Sequence, residues 1–164
     1  MWSKKLEKAF NEQMAAEMHS AYVYLGMAAY FDGQGLEGFA HWMKVQAQEE
    51  VGHAMKFYNF VFRRDGQVVL NPLAAPKVEY GSPLQAFTKA LEHEQMITGR
   101  IHELLELARK EKDPAAEQFL MWFVEEQVEE EDTARKIVNK LKLIGDSASG
   151  LFMLDRELAS RGRE

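Results

Sequence analysis

Cysteine is absent from this chain of 164 residues. That excludes disulfides, zinc ribbons, iron–sulfur clusters and thiol catalysis. Long hydrophobic runs are missing too. No segment reaches the length that a membrane span requires, and the opening stretch "MWSKKLEKAFNEQ" has no apolar run of secretory length. A cytoplasmic setting with no membrane partner is expected. Positive charge is in deficit: 20 Lys and Arg against 26 Asp and Glu give a formal net charge of −6, which argues against nucleic acid as a partner. Proline is limited to four residues, confined to the stretch "QVVLNPLAAPKVEYGSP" and the break "KEKDP".

Between those breaks the apolar residues recur at steps of three and four, the period of a buried helix face. The pattern predicts helices over about 3–31, 36–64, 83–110, 114–144 and 149–160, within a single domain spanning 1–164. Asp113 is placed to cap the fourth helix with Pro114 at its first position, and Gly145 stops it. Helices of nearly thirty residues are roughly 40 Å long at 1.5 Å per residue. Short breaks after the first and third helices make antiparallel neighbours, whereas the long segment between the second and third can cross the length of a bundle. The expected fold is all-α, a four-helix bundle with one long crossover and a short fifth helix.

The second helix also repeats in the fourth. "FAHWMKVQAQEE" from Phe39 aligns with "FLMWFVEEQVEE" from Phe119, matching Trp42 to Trp122, Glu49 to Glu129 and Glu50 to Glu130. A weaker correspondence links the first and third helices through Phe10 and Phe87, and Glu17 and Glu94.

Each apolar stripe contains a glutamate. Glu17 interrupts Leu6, Phe10, Met14, Ala21, Tyr24, Ala28 and Phe31; Glu50 interrupts Phe39, Met43, Ala47, Ala54, Phe57 and Val61. Glu94 lies between Leu91 and Thr98, and Glu126 and Glu130 between Phe123 and Ala134. Gln127 and Glu129 fall on opposite margins of that last stripe, whereas Glu125, Glu131 and Asp132 point away from it. Folded as antiparallel hairpins, Glu17 meets Glu50 and Glu94 meets Glu130 at one depth. A buried, unpaired carboxylate is costly, and four of them repel one another. Protonation relieves some of this and bound cations relieve it better. With His53 one turn beyond Glu50, the donor set of oxygens and one nitrogen suits iron or manganese.

Through Glu17, "FAHWM", "QEEVGH", "EHEQM" with Glu94, "WFVEEQVEEE" and "LDREL", the sequence resembles the bacterial non-haem ferritins over essentially its whole length. The resemblance implies a ferritin-like bundle that binds Fe(II), oxidises it with O2 or peroxide, and stores the ferric mineral in a hollow homo-oligomeric cage of twenty-four subunits. It further implies Glu17, Glu50 and His53 as ligands of a first iron, with Glu50 bridging to a second held by Glu94 and Glu130. Gln127 then neighbours the centre, Tyr24 lies beside it, and Glu49, Glu126 and Glu129 match a third iron site. Thr133 stands where a second Glu-x-x-His motif would put histidine. Val51 stands where haem-binding relatives have methionine, so no haem is expected. The resemblance places the fifth helix where four subunits meet. Two readings compete with storage: a rubrerythrin-like diiron oxidase or peroxidase, and a helical scaffold with protonated carboxylates.

Overall fold

The computed structural model describes residues 2–162, so both ends of the expected 1–164 domain lie outside the described residues. Five helices account for its regular structure: α1 (Lys4–Gly33), α2 (Glu37–Arg63), α3 (Pro83–Lys110), α4 (Pro114–Ile144) and α5 (Ala148–Leu158). Side-chain oxygens of Ser3, Ser82, Asp113 and Ser147 accept from the first turns of α1, α3, α4 and α5. These contacts satisfy backbone N–H groups that have no partner within the helix.

Three helices end in one hydrogen-bond pattern, in which the chain turns back through a left-handed residue. After α1 that residue is Gly35 (φ 73°), with the Leu36 N–H donating to the Phe31 carbonyl at 3.0 Å. After α2 and α3 the left-handed residues are Asp65 (φ 56°) and Lys112 (φ 55°), where glycine is the usual choice. The Asp113 N–H closes the turn of α3 on Ala108 O at 3.0 Å, while its carboxylate caps α4 at Ala116 N. One residue thus ends one helix and starts the next. Arg64 grips the same carboxylate with two hydrogen bonds of 2.9 and 2.8 Å, tying the end of α2 to the start of α4.

The segment 64–82 returns along the bundle, so α3 starts at the end where α1 finishes. The Asn11 side chain anchors it, donating to Gln67 O and accepting from Val69 N. The short α5 folds back onto α2, where Asp155 accepts from Phe39 N at 3.0 Å. A Cβ at Gly38 would come within 1.7 Å of the Asp155 carbonyl oxygen, so this approach requires glycine. Leu154 and Leu158 are buried there, whereas Phe152 and Met153 remain exposed at 63% and 71%.

The core divides into two apolar clusters. One gathers Tyr24, Phe31, Phe39, Trp42, Phe87, Ile137 and Leu141; the other gathers Phe10, Phe57, Phe60, Ile97, Phe119 and Phe123. In every long helix a polar residue occupies the interval between them. The buried faces of α3 and α4 are rotated slightly from the expected stripes. Ala90, Ile97, Leu120 and Gln127 are buried, while Leu91, Thr98, Phe119 and Glu126 are half-buried. Adjacent positions differ by only 100°, and which one faces inward is decided by the neighbouring helices.

Candidate metal centre

Glu17 from α1, Glu50 and His53 from α2, Glu94 from α3 and Gln127 and Glu130 from α4 are all buried in this interval. Their ligand atoms converge in three groups, each with atoms within 4.8 Å of one another: Glu17, Glu50 and His53; Glu50, Glu94 and Glu130; and His53, Glu126 and Glu130. Glu50 belongs to the first two, at the seam between the hairpins. The Nδ1 of His53 lies 3.2 Å from Glu50 Oε2 and 3.9 Å from Glu17 Oε2. Its Nε2 lies 3.6 Å from Glu126 Oε1, and its ring meets Trp122 and Phe123 edge-on.

Amides and a phenol hold the carboxylates in place. Gln13 Nε2 donates to Glu17 Oε1 at 2.8 Å. Gln46 Nε2 donates to Glu50 Oε1 at 2.8 Å and to Glu130 Oε2 at 2.9 Å. Gln127 Nε2 lies 3.2 Å from Glu94 Oε2 and from the Glu94 carbonyl oxygen, and the Tyr24 hydroxyl donates to Glu94 Oε1. The buried Glu17 Oε2 has no hydrogen-bond partner among the described residues. It faces Glu50 and His53, as a ligand oxygen would.

Burial and mutual repulsion set the charges. Burial first, then the Glu50 charge, pushes the Glu17 carboxyl up to about 8. Burial and Glu50 raise Glu94 to about 7, and burial with Glu94 raises Glu130 to about 9. Burial alone would lower the His53 imidazole, but its hydrogen bond to Glu50 and the surrounding carboxylates outweigh that and raise it to about 9. Burial beside Glu94 and Glu50 raises Tyr24 well above the ordinary phenol value, so its hydroxyl remains a donor. Among the described residues no lysine or arginine pairs directly with Glu17, Glu50, Glu94 or Glu130. Two divalent cations would balance four carboxylates, and the oxygen-rich donor set with one imidazole fits iron.

Of the residues expected at a third site, Glu126 joins the cluster, half-buried, with burial raising its carboxyl. Glu49 and Glu129 are exposed and enter none of the converging groups. Glu49 is held instead by Arg161 at 2.8 Å. Glu131, expected to face solvent, is half-buried and accepts from Thr98 Oγ1 at 2.7 Å. Two participants escaped the sequence reading, Gln13 and Gln46. Their signal is the spacing: each glutamine lies four residues, one helical turn, before the glutamate it serves.

A family model for the ferritin-like domain matches residues 7–144. A bacterial non-heme ferritin from Bacteroides fragilis is 44% identical over 161 residues, 98% of this chain and 100% of the relative. One from Staphylococcus aureus is 41% identical over 98% of this chain and 97% of its own length. Among solved structures, an open pore ferritin from the hyperthermophilic archaeon Archaeoglobus fulgidus superposes with a TM-score of 0.98 at 52% identity, over 98% of this chain and 99% of that one. A form of that ferritin closed by mutagenesis gives 0.97 at 53%, covering 98% of each chain. Family, fold and donor set agree: the chain belongs to the ferritin-like family, whose membership supports a role in iron storage.

Proposed function

We propose that this protein is an iron-storage ferritin with a ferroxidase centre inside each subunit. The observation that carries the reading is the convergence of four buried glutamates and His53, with Glu17 Oε2 unpartnered and Glu50 common to two of the converging groups. Fe(II) is the substrate. Glu17, Glu50 and His53 receive one ion, and Glu50, Glu94 and Glu130 the other. Sharing Glu50 holds the pair close enough for one O2 to take an electron from each.

The chain's own groups prepare that step. Raised carboxyl pKa values keep the empty centre near neutrality, and arriving iron displaces those protons. Tyr24 and Gln127 fix the plane of the Glu94 carboxylate. The packed aromatics on both sides exclude bulk water from the oxidation. Half-buried Glu126, beside His53 and Glu130, is the first carboxylate on a way out toward a third ion, with Glu49 and Glu129 further along. The ferric product passes from there into the cavity of a cage of identical subunits, twenty-four by family resemblance.

Aerobic addition of Fe(II) to the metal-free protein, followed by size-exclusion chromatography and iron quantitation, tests this. Hundreds of ions retained per particle are expected. A plateau of about two per subunit would replace storage with a diiron oxidase acting on a diffusible substrate. No retention would leave a scaffold with protonated carboxylates.

A further inference from the structure

The two buried glutamines hold their carboxylates with one end of the amide and an arginine with the other. Gln13 donates through Nε2 to Glu17 and accepts at Oε1 from Arg100 Nε at 3.0 Å. Gln46 donates through Nε2 to Glu50 and Glu130 and accepts at Oε1 from Arg161 Nη2 at 2.7 Å. Both amides are almost fully buried, at 2% and 0% exposure. The two arginines come from different elements, Arg100 from α3 and Arg161 from the turn after α5.

We propose that Arg100 and Arg161 are positioning residues for the metal centre, each acting through one glutamine. The inference rests on the di-iron reading above and adds how its ligands are aimed. An amide can turn end for end, and a reversed Gln46 would present Oε1 to two carboxylates. A guanidinium has donors only, so Arg161 fixes Oε1 outward and Nε2 inward. Arg100 does the same for Gln13.

The arrangement also divides each carboxylate's oxygens. Glu17 offers Oε1 to Gln13 and leaves Oε2 unpartnered. Glu50 offers Oε1 to Gln46 and turns Oε2 toward His53; Glu130 offers only Oε2 to Gln46. An arginine bound directly to any of these can take both oxygens in a bidentate pair and would compete with a cation. One amide away, it orients the ligand without occupying it.

Arg161 is itself firmly seated. Its guanidinium lies over the Trp42 ring, 4.2 Å from the centroid, and donates to Trp42 O at 3.2 Å and Glu49 Oε2 at 2.8 Å. Its carbonyl oxygen lies 2.8 Å from His41 Nε2. The segment after α5 is thereby connected to the bridging ligand through a single side chain.

Co(II), followed by its visible d–d absorption and by titration of the assembled protein, reads the ligand geometry without turnover. Arg161→Ala is expected to weaken Co(II) binding about ten-fold and to shift the d–d bands, as losing an outer partner of a metal ligand does. Gln46→Ala should do the same, and the double variant should be no worse than Gln46→Ala alone, since both act in one chain. Arg161→Lys keeps the charge but not the fork, so it should recover only part of the loss. Arg100→Ala and Gln13→Ala should form a second, separate non-additive pair. Unchanged affinity and bands in Arg161→Ala, or losses that add to those of Gln46→Ala, would overturn the relay and leave the di-iron reading standing. If Arg161→Ala fails to assemble, Arg161→Lys against Gln46→Ala decides by the same criterion. A wild-type protein that binds no Co(II) at this site would overturn both.

Discussion

Loading iron into the metal-free protein should expel protons, and their number follows from the structure. At neutral pH Glu17, held at about 8, and Glu130 and His53, at about 9, are largely protonated, and Glu94, at about 7, is half protonated. Metal ligands must shed those protons, so occupying the centre should release ~3 protons per subunit at pH 7 and ~1 at pH 9. Ordinary carboxylates and an ordinary imidazole would release well under ~1 at pH 7. Anaerobic titration calorimetry with Fe(II), in buffers of different ionisation enthalpy, gives the number as a slope. The same shifts govern the stability of the metal-free protein. All four folded-state values are raised, so the native state holds more protons than the unfolded chain. Their contribution is fully present below the unfolded values, 4.5 for the carboxyls and 6.5 for His53, and is lost as pH rises through about 7 to 9. The melting temperature of the metal-free protein should therefore fall across that window, and divalent metal should restore it. Release of fewer than ~1 proton at pH 7, or release that grows as pH rises, would refute the reasoning.

Glu50→Ala should slow oxidation at two Fe(II) per subunit more than Glu17→Ala, Glu94→Ala or Glu130→Ala, because Glu50 belongs to both of the groups proposed to receive an ion; stopped-flow absorbance ranks the four. Glu129→Ala, alone or with Glu49→Ala, should leave that fast phase intact and change later turnovers, since both side chains lie outside the converging groups; loss of the fast phase in a folded variant would contradict this. Replacing Phe152 and Met153 together with serine removes exposed apolar surface from α5 while sparing the buried Leu154 and Leu158. Native mass measurement is expected to detect smaller or more easily dissociated particles, with helix content by circular dichroism unchanged.

The helices are legible because the apolar period is regular, and the convergence of the glutamates because four of them break it at matched depths. What escaped the sequence was non-local or indifferent to residue type. Asp65 and Lys112 adopt left-handed conformations that glycine usually supplies, because the hydrogen bonds closing those turns outweigh the preference. Gln13 and Gln46 show only their four-residue spacing to a glutamate, and which way each amide points depends on partners far away in the chain. Those partners, Arg100 and Arg161, lie 87 and 115 residues away along the chain. The pairing of Glu49, expected at a third iron site, is hidden for the same reason, since its arginine comes from beyond α5.

The pair of aromatic clusters that bracket the polar layer limits the directions from which it can be approached. Phe57, Phe119 and Phe123 pack edge-on or tilted on one side of it, and Phe39, Trp42 and Phe87 edge-on on the other, with centroids about 4.5–5.9 Å apart. An ion moving lengthwise would have to part rings packed at the density of a molecular crystal. For the proposed centre the open direction is crosswise, between neighbouring helices, where the side chain of Glu126 keeps 26% of its surface open to solvent. The polar layer is closed along the bundle axis and partly open on its flank.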